Sequence, residues 1–356
     1  MLATQQLQEL VQNTKVSKAL AGNLLPSDGN SSILNLENLK TVTVVEEGPN
    51  GSVPAAIGVF NVITPNQYYC SAVATSGRYN DVFVNIEPVE TEANELGVEE
   101  DVADNHTVYK ISEVKEELKD LSGFPQYFSV FGKPEATPLL QTVVDQLIDN
   151  VGQKNFDMKK NISVDLYLDS KQNDESVNLW RDKTGFVVVD KYRFVEFEVP
   201  RTKLVSLLES SKQATDIKYE TLTPRSAVLF LDYDSNISMI DRQEYLEFVF
   251  GLRSVKGTVA IDAENQPVGY VLSLNGRVLQ LYGESEEIAV SLLLEHLKDL
   301  PSESVTFFTV SNNHLFQKVS EIATSEKRVA RYHTRILPSN VKWSNVFFVN
   351  MGLHLY

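Results

Sequence analysis

A glycine and a serine between a strand-like and a helix-like segment form a candidate anion-binding turn. Residues 277–282 alternate as in a strand, Gly283 ends that run, and Ser285 can cap a helix predicted over 286–299. The first turn of a helix leaves main-chain N–H groups without intrahelical partners, and these groups attract negative charge. The spacing therefore predicts an anion site, with an ordinary strand–helix junction as the alternative.

A second turn of this kind lies between a strand predicted over 126–131 and a helix predicted over 138–150. Thr137 can cap that helix, and Lys133 supplies a positive charge beside Glu135. The turn at Gly283 is surrounded instead by carboxylates that would repel an anion at close range. These carboxylates belong to Glu284, Glu286 and Glu287.

Acid–base chemistry is predicted near the end of the chain. Tyr332, His333 and Arg335 lie in a strand predicted over 328–337, where His333 and Arg335 share one face and Tyr332 has the other. They offer an acid, a base and a clamp for a carboxylate. Glu244, on a predicted helix, is a further candidate base. Solvated surface positions are the alternative for all four residues.

The elements that must position these residues alternate between strands and helices. In the first half we predict a helix over 4–20, a meander of strands over 41–45, 56–62 and 81–86, and a helix over 112–121. After the helix at 138–150 we predict strands over 162–168, 186–190 and 192–199, helices over 173–184 and 203–213, and a linker over 210–216.

The second half repeats this order. We predict helices over 224–231 and 238–250, a hairpin of 256–262 with 267–273, the strand, turn and helix around Gly283, a strand over 304–310, a helix over 313–323 and strands over 328–337 and 345–353. Ser238 and Asp241 resemble a capping box, and Gly251 is a helix stop. His296 and His314 are predicted on helix surfaces.

Composition excludes several classes of protein. A net charge of −16 disfavours binding to nucleic acids and to anionic membranes. We find no apolar run long enough to span a bilayer and no secretory signal, and the lone Cys70 permits neither an intrachain disulfide nor a cysteine-based metal site. The five histidines lack metal-ligand spacing, so we expect no metal. A reducing, cytoplasmic location is expected.

An acidic segment lies between Glu87 and Asp104, with eight acidic residues and no basic one. A solvated loop is one interpretation of such a run. Contact with a basic protein partner is the other.

Several motifs of the second half resemble one known family. They are Asp241-Arg-Gln-Glu-Tyr-Leu, Gly257 with Val-Ala-Ile-Asp, Pro267-Val-Gly-Tyr, Leu281-Tyr-Gly-Glu-Ser-Glu-Glu-Ile-Ala, Val310-Ser-Asn-Asn and Thr334-Arg-Ile-Leu-Pro. Together with the element order, they resemble the GNAT acyltransferases, in particular tandem proteins with a YitH/HolE-type C-terminal acetyltransferase domain. The resemblance covers about residues 220–356 and is fainter in the first half.

The resemblance implies acyl-CoA as co-substrate, with its pyrophosphate held by main-chain amides of a glycine-rich turn. The implied cofactor-binding residues are Gly132, Lys133, Ala136, Thr137, Tyr282, Gly283, Ser285 and Asn313. Both turns depart from the family's glycine pattern. The family's tyrosine acid, seven residues after an asparagine, is replaced by Trp180 after Asn173 and by Ser320 after Asn313.

We therefore expect a mixed α/β fold with two tandem GNAT-like domains, over 1–200 and 215–356. The expected function is acyl-CoA-dependent N-acyl transfer, by acetyl-CoA or another acyl-CoA, to a small amine. Its catalytic residues would be Tyr332, His333, Arg335 and Glu244. The alternative is a non-catalytic GNAT-fold module that binds a ligand or a protein.

Overall fold

The computed structural model describes residues 10, 39–49, 51–79, 82–90, 104–116, 137–150, 161–168, 188–189, 194–223, 228–238, 241–251, 255–310, 314–333 and 341–349. The chain divides into two compact units. The first comprises residues 1–189 and 332–336, and the second comprises 190–331 and 337–356. The expected domains, 1–200 and 215–356, remain predictions.

The first unit is a sheet with one described helix against it. Its strands are β1 (Leu39–Gly48), β2 (Gly51–Thr64), β3 (Gln67–Thr75), β4 (Val82–Val89), β5 (His106–Glu116), β6 (Thr137–Pro138), β7 (Asn161–Tyr167) and β8 (Val188–Val189), and its helix is α1 (Leu139–Asn150). On the face of β2 that α1 covers, a Cβ added at Gly58 would lie 2.5 Å from the side chain of Leu147 and 2.7 Å from that of Val143, both on α1. The helix therefore packs directly on the sheet backbone.

The first unit mixes parallel and antiparallel strand pairs. β1, β2 and β3 form an antiparallel meander, and β7 joins β3 in parallel, with Tyr69 opposite Ser163. On the other edge, β5 runs parallel to β1 and antiparallel to β4, and β6 follows β4. The predicted meander placed the strand over 81–86 next to the strand over 56–62. This is corrected here, because β3 is the neighbour of β2, and β4, which contains most of residues 81–86, pairs with β5.

The helix predicted over 112–121 is wrong where the structure describes it. Residues 112–116 continue β5, in which Val114 lies opposite Val84 and Lys115 opposite Phe83. Charged residues such as Glu113 and Lys115 favour helices only weakly, and backbone pairing with neighbouring strands outweighs that preference.

The second unit carries the larger set of described helices. Its strands are β9 (Phe194–Pro200), β10 (Lys218–Thr221), β11 (Val255–Ile261), β12 (Pro267–Leu274), β13 (Arg277–Gly283), β14 (Ser304–Val310), β15 (Ser325–His333) and β16 (Val346–Val349). Its helices are α2 (Arg201–Ser210), α3 (Val228–Ser238), α4 (Gln243–Gly251), α5 (Glu286–Lys298) and α6 (His314–Ser320). The last two residues of β15 belong to the first unit.

The strand order of the second unit is β10, β11, β12, β13, β16, β14, β9, β15. β10 to β13 are antiparallel neighbours, whereas β13 and β14 are parallel and pair at Arg277 and Thr306. Beyond that pair β16 lies between them, antiparallel to both. The predicted mixed α/β class is confirmed in both units.

The helix after β13 lies on the core of the second unit. Its apolar residues Ala289, Val290, Leu292, Leu293 and Leu297 are buried with Val271, Val278, Leu281 and Phe307 of the sheet. Amphipathic spacing produces this arrangement, because it places these side chains on one face of the helix. The predicted helix over 286–299 is confirmed as α5.

Two local predictions of the second half are corrected. His296 is buried rather than on the surface, because it hydrogen-bonds Thr258 and Ser273 of the sheet beneath α5, at 2.9 and 2.8 Å. Ser238 ends α3 and is buried, so it does not cap the next helix. The carboxylate of Asp241 accepts the Gln243 N–H at 3.2 Å instead.

Candidate functional site

The turn between β13 and α5 is built by close backbone approach. A Cβ at Gly269 would lie 2.7 Å from the carbonyl oxygen of Tyr282, and one at Gly283 would lie 3.3 Å from the nitrogen of Ala289. Neither residue has a positive φ, so space is the constraint: a side chain at residue 269 would collide with the backbone, and one at residue 283 would be a tight fit. The sequence therefore brings the end of β13 directly against the first turn of α5.

Three N–H groups at this turn have acceptors within the chain. The Glu284 N–H donates to the Val268 carbonyl oxygen at 3.0 Å. The hydroxyl oxygen of Ser285 accepts the Ile288 N–H at 3.3 Å, which confirms Ser285 as the N-cap. Glu287 uses its own backbone N–H to support its carboxylate. An external anion would have to displace these contacts.

Acidic side chains dominate the charge at the start of α5. Lys212 binds the Glu287 carboxylate at 2.8 Å and, with the Glu287 N–H and the Ser285 hydroxyl, lowers the pKa of Glu287 to about 2. Lys318 lies 3.8 Å from the carboxylate of Glu286. Each nearby lysine is thus neutralised by a glutamate, and the turn stays unfavourable for an anion.

The free edge that β13 would offer beside this turn is already paired. Leu281 lies opposite Phe348, and Tyr282 lies opposite Val346, both on β16. On the other side of β16, Thr309 of β14 lies opposite Phe348. A ligand extending from the turn along β13 would therefore meet β16.

A buried ionic network lies behind Tyr282. The Arg242 guanidinium donates two hydrogen bonds to the Asp234 carboxylate, at 2.9 and 2.7 Å, and Tyr270 donates to the same carboxylate at 2.5 Å. Arg242 also reaches the Tyr282 hydroxyl at 3.4 Å, and Gln280 donates to that hydroxyl at 2.5 Å. The network joins α3, β12 and β13.

The network holds its charges in fixed states. Burial raises the pKa of Tyr282 to about 12, although Arg242 opposes the shift, and burial with the nearby Asp234 carboxylate raises the pKa of Tyr270. Asp234 outweighs the effect of burial on Arg242 and raises the pKa of its guanidinium. Both tyrosines keep their proton near pH 7, so neither acts as a base there, and their raised pKa values make them weak proton donors. Sequence analysis missed this network, whose signal is two charged residues, Asp234 and Arg242, beside apolar segments.

The predicted site residues fall in separate places. Tyr282, Gly283 and Ser285 lie together at the turn before α5, and Thr137 lies in β6 of the first unit. Glu244 is exposed on α4. Gly132, Lys133, Ala136, Asn313 and Arg335 lie outside the described residues. Among the described cofactor-binding candidates, the structure therefore brings together the three residues at the turn.

Tyr332 and His333 are both buried at the end of β15. The Nδ1 atom of His333 lies 2.8 Å from the Ser163 hydroxyl, and both residues belong to the first unit. The Ser163 hydroxyl also accepts a hydrogen bond from Gln67 at 2.9 Å. His333 thus takes part in a buried polar cluster, and its catalytic role remains a prediction.

Within the described ranges, no helix is long and apolar enough to cross a membrane. The same ranges hold no group of three His, Cys, Asp or Glu residues that could bind a metal ion.

The turn at Gly283 does not fit the pyrophosphate of acyl-CoA. Three of its amides hydrogen-bond Val268, Ser285 and the Glu287 carboxylate, and Lys212 and Lys318 pair with Glu287 and Glu286. The adjacent edge of β13 is covered by β16. The described residues of this turn therefore do not form a pyrophosphate site.

One protein-family model, "Domain of unknown function (DUF7596)", matches residues 26–188. None of the curated proteins compared with the chain matches it in sequence.

Solved structures resemble the chain at low sequence identity. A tandem GNAT protein from the clavulanic acid biosynthesis pathway is 10% identical, with 95% of this chain and 96% of that chain covered and a TM-score of 0.48. A putative acetyltransferase from Pyrococcus horikoshii is 13% identical, with 84% and 76% covered and a TM-score of 0.45. A GCN5-related N-acetyltransferase from Sphaerobacter thermophilus is 10% identical, with 82% of each chain covered and a TM-score of 0.42. The structures to which this chain is similar thus include GNAT acetyltransferases, a tandem protein among them.

Proposed function

We propose that the chain is a non-catalytic binding module of GNAT-like architecture, whose second unit takes an extended protein segment in place of acyl-CoA. The observation that carries this proposal is the pairing of β16 with Leu281 and Tyr282, along the edge of β13 beside the turn at Gly283. A strand held by backbone hydrogen bonds is a common mode of peptide recognition. We place the module in the cytoplasm.

The charge of the turn supports the same proposal. Glu286 and Glu287 lie in the first turn of α5, where their carboxylates already interact favourably with the positive end of the helix dipole. A CoA pyrophosphate would have to approach these carboxylates, and each would repel it. The net charge of −16 makes a basic protein a more favourable partner than an anionic ligand.

The groups available for proton transfer also support it. Tyr270 and Tyr282 are buried with raised pKa values, and Ser320, at the position of the family's tyrosine acid, donates to the Glu326 carboxylate at 2.8 Å. A serine hydroxyl is a poor proton donor near neutral pH. These residues therefore favour binding over transfer.

Calorimetric titration of the full chain with CoA and acetyl-CoA tests the proposal. We expect no binding at millimolar ligand, and we expect no gain in affinity for either ligand in the variants Lys133→Glu and Gly283→Val. The double variant Glu286→Gln with Glu287→Gln tests whether these carboxylates repel the CoA pyrophosphate, because it removes two charges and keeps the size of the side chains. Micromolar binding by the unaltered chain would overturn the proposal.

An acyl-CoA-dependent N-acyltransferase acting on a small amine is the second candidate. The succession β13, Gly283, Ser285-capped α5 and parallel β14 favours it, because ligands of α/β folds bind at the carboxyl ends of parallel strands. Loss of CoA binding in Lys133→Glu but not in Gly283→Val would assign this activity to the first unit. Tyr332, His333, Arg335 and Glu244 would then be the residues to replace.

A further inference from the structure

The crevice between β13 and β14 is filled by the chain itself. The two parallel strands pair at Arg277 and Thr306 and then separate toward their carboxyl ends. Crevices of this kind, at the carboxyl ends of diverging parallel strands, are the usual ligand sites of α/β sheets. Here the strand position in the crevice is taken by β16.

Both edges of the crevice use β16 as their hydrogen-bonding partner. Leu281 and Tyr282 face it from β13, while Phe308 and Thr309 face it from β14. The Thr309 hydroxyl also donates to the carbonyl oxygen of Phe347 at 2.9 Å. Without β16, two rows of backbone donors and acceptors would lie open, which is the requirement for binding another extended chain.

The side chains of β16 fill the space between the strands. The ring of Phe348 stacks on that of Phe307, with centroids 3.9 Å apart and planes 16° apart. All four residues of β16 are buried, and Phe347 and Phe348 belong to the core of the second unit. An incoming segment would need large apolar side chains at these positions.

The pairing of β16 is short and irregular. The register between β13 and β16 shifts between Leu281 and Tyr282. As a result, Leu281 lies opposite Phe348 and Tyr282 lies opposite Val346, and the pairing skips Phe347. By contrast, β9 pairs with β14 continuously from Phe194 to Pro200. β16 therefore has weaker backbone anchorage than the strand on the other side of β14.

We infer that β16 is an autoinhibitory strand, which closes the crevice between β13 and β14 and must withdraw before an extended, apolar peptide binds there. The inference rests on the proposed function and deepens it, because it names the state in which the module binds its peptide.

A labelled peptide of residues 341–349 probes the crevice by fluorescence anisotropy. We expect Phe348→Ala in the full chain to bind this peptide at least tenfold more tightly than the unaltered chain does. Leu204→Ala is the matched control, since Leu204 lies in the same core but outside β16. A peptide with aspartate in place of both phenylalanines should not bind any of the proteins.

Equal binding of the peptide by Phe348→Ala and Leu204→Ala would overturn the inference, as would the absence of binding to both. Thr309→Val provides a second variant if Phe348→Ala does not fold, because it removes a hydrogen bond from β16 without leaving a large cavity. Thr309→Val, like Phe348→Ala, should bind the peptide more tightly than the unaltered chain does.

Hydrogen exchange on the unaltered chain gives an independent test. We expect the amides of β16 to exchange at lower protection than those of β9 and β12, through local opening. Exchange of all three strands only in global unfolding would overturn the inference. Binding of acetyl-CoA by Phe348→Ala but not by the unaltered chain would overturn both the inference and the proposed function, because the crevice that β16 closes would then hold acyl-CoA instead of a peptide.

Discussion

Buried charge at Asp234 and Arg242 makes the second unit sensitive to single substitutions. Their side chains are 1% and 2% exposed, so removing one leaves the other without its charged partner. We predict that Arg242→Ala destabilises the second unit by about 3–5 kcal/mol, measured by urea unfolding.

Two controls define what this loss means. Lys212→Ala, which breaks an exposed ion pair, should destabilise the chain far less than Arg242→Ala does. Asp234→Leu combined with Arg242→Met should cost less than Arg242→Ala alone, since no unpaired charge remains. A loss in the double variant that equals or exceeds that of Arg242→Ala would contradict this account.

His296 should make stability depend on pH. Its burial, with Lys256 nearby, lowers its pKa from 6.5 to about 4, so the folded chain holds the ring neutral between these values. The unfolded chain binds the extra proton in that window. The contribution of His296 to the free energy of unfolding is therefore fully present above pH 6.5 and is lost as the pH falls toward 4. The loss is at most about 3 kcal/mol.

Urea unfolding of the chain at several pH values measures this effect. In His296→Gln the decline between pH 6.5 and 4 should be smaller, because glutamine does not titrate. An unchanged decline in that variant would assign the effect to the carboxylates.

At the scale of elements, the contact of α1 with β2 leaves no room for a side chain at residue 58. The Cβ of an alanine there would lie 2.5 and 2.7 Å from Leu147 and Val143, well inside normal contact distance. We predict that Gly58→Ala destabilises the first unit by about 1–3 kcal/mol in thermal or urea unfolding.

Shortening the facing side chain is the control for this prediction. Leu147→Ala alone leaves a cavity, but together with Gly58→Ala it makes room for the new methyl group. The double variant should therefore be more stable than the sum of the two single losses predicts. Simple additivity would argue against a steric cause.

At the scale of the whole molecule, the charge of −16 predicts salt-sensitive binding to a basic partner. We expect polylysine to bind at about 20 mM salt and to dissociate at about 500 mM salt, where screening shortens the range of the attraction. Fluorescence anisotropy of labelled polylysine measures this.

The acidic segment of 87–104 can be tested within the same assay. Glutamine in place of five of its glutamates should weaken binding more than the same change at five glutamates of the second unit. Equal weakening would show that total charge, rather than this segment, attracts the partner.

Local spacing predicted much of the second unit, including β13, the Ser285 cap and α5, since these depend on neighbouring residues. It did not predict His296 beneath α5, because the partners Thr258 and Ser273 lie on strands distant in sequence. It also predicted β16 as a closing strand without its place between β13 and β14. Strand order depends on long-range pairing that periodicity does not encode.

The lone cysteine gives the first unit a built-in chemical reporter. Cys70 is fully buried in β3, and burial raises the pKa of its thiol, so a thiol reagent finds neither access nor thiolate in the folded chain. Its labelling rate in native buffer would therefore record the opening of β3. A cysteine introduced on the surface could be modified selectively without removing the natural one.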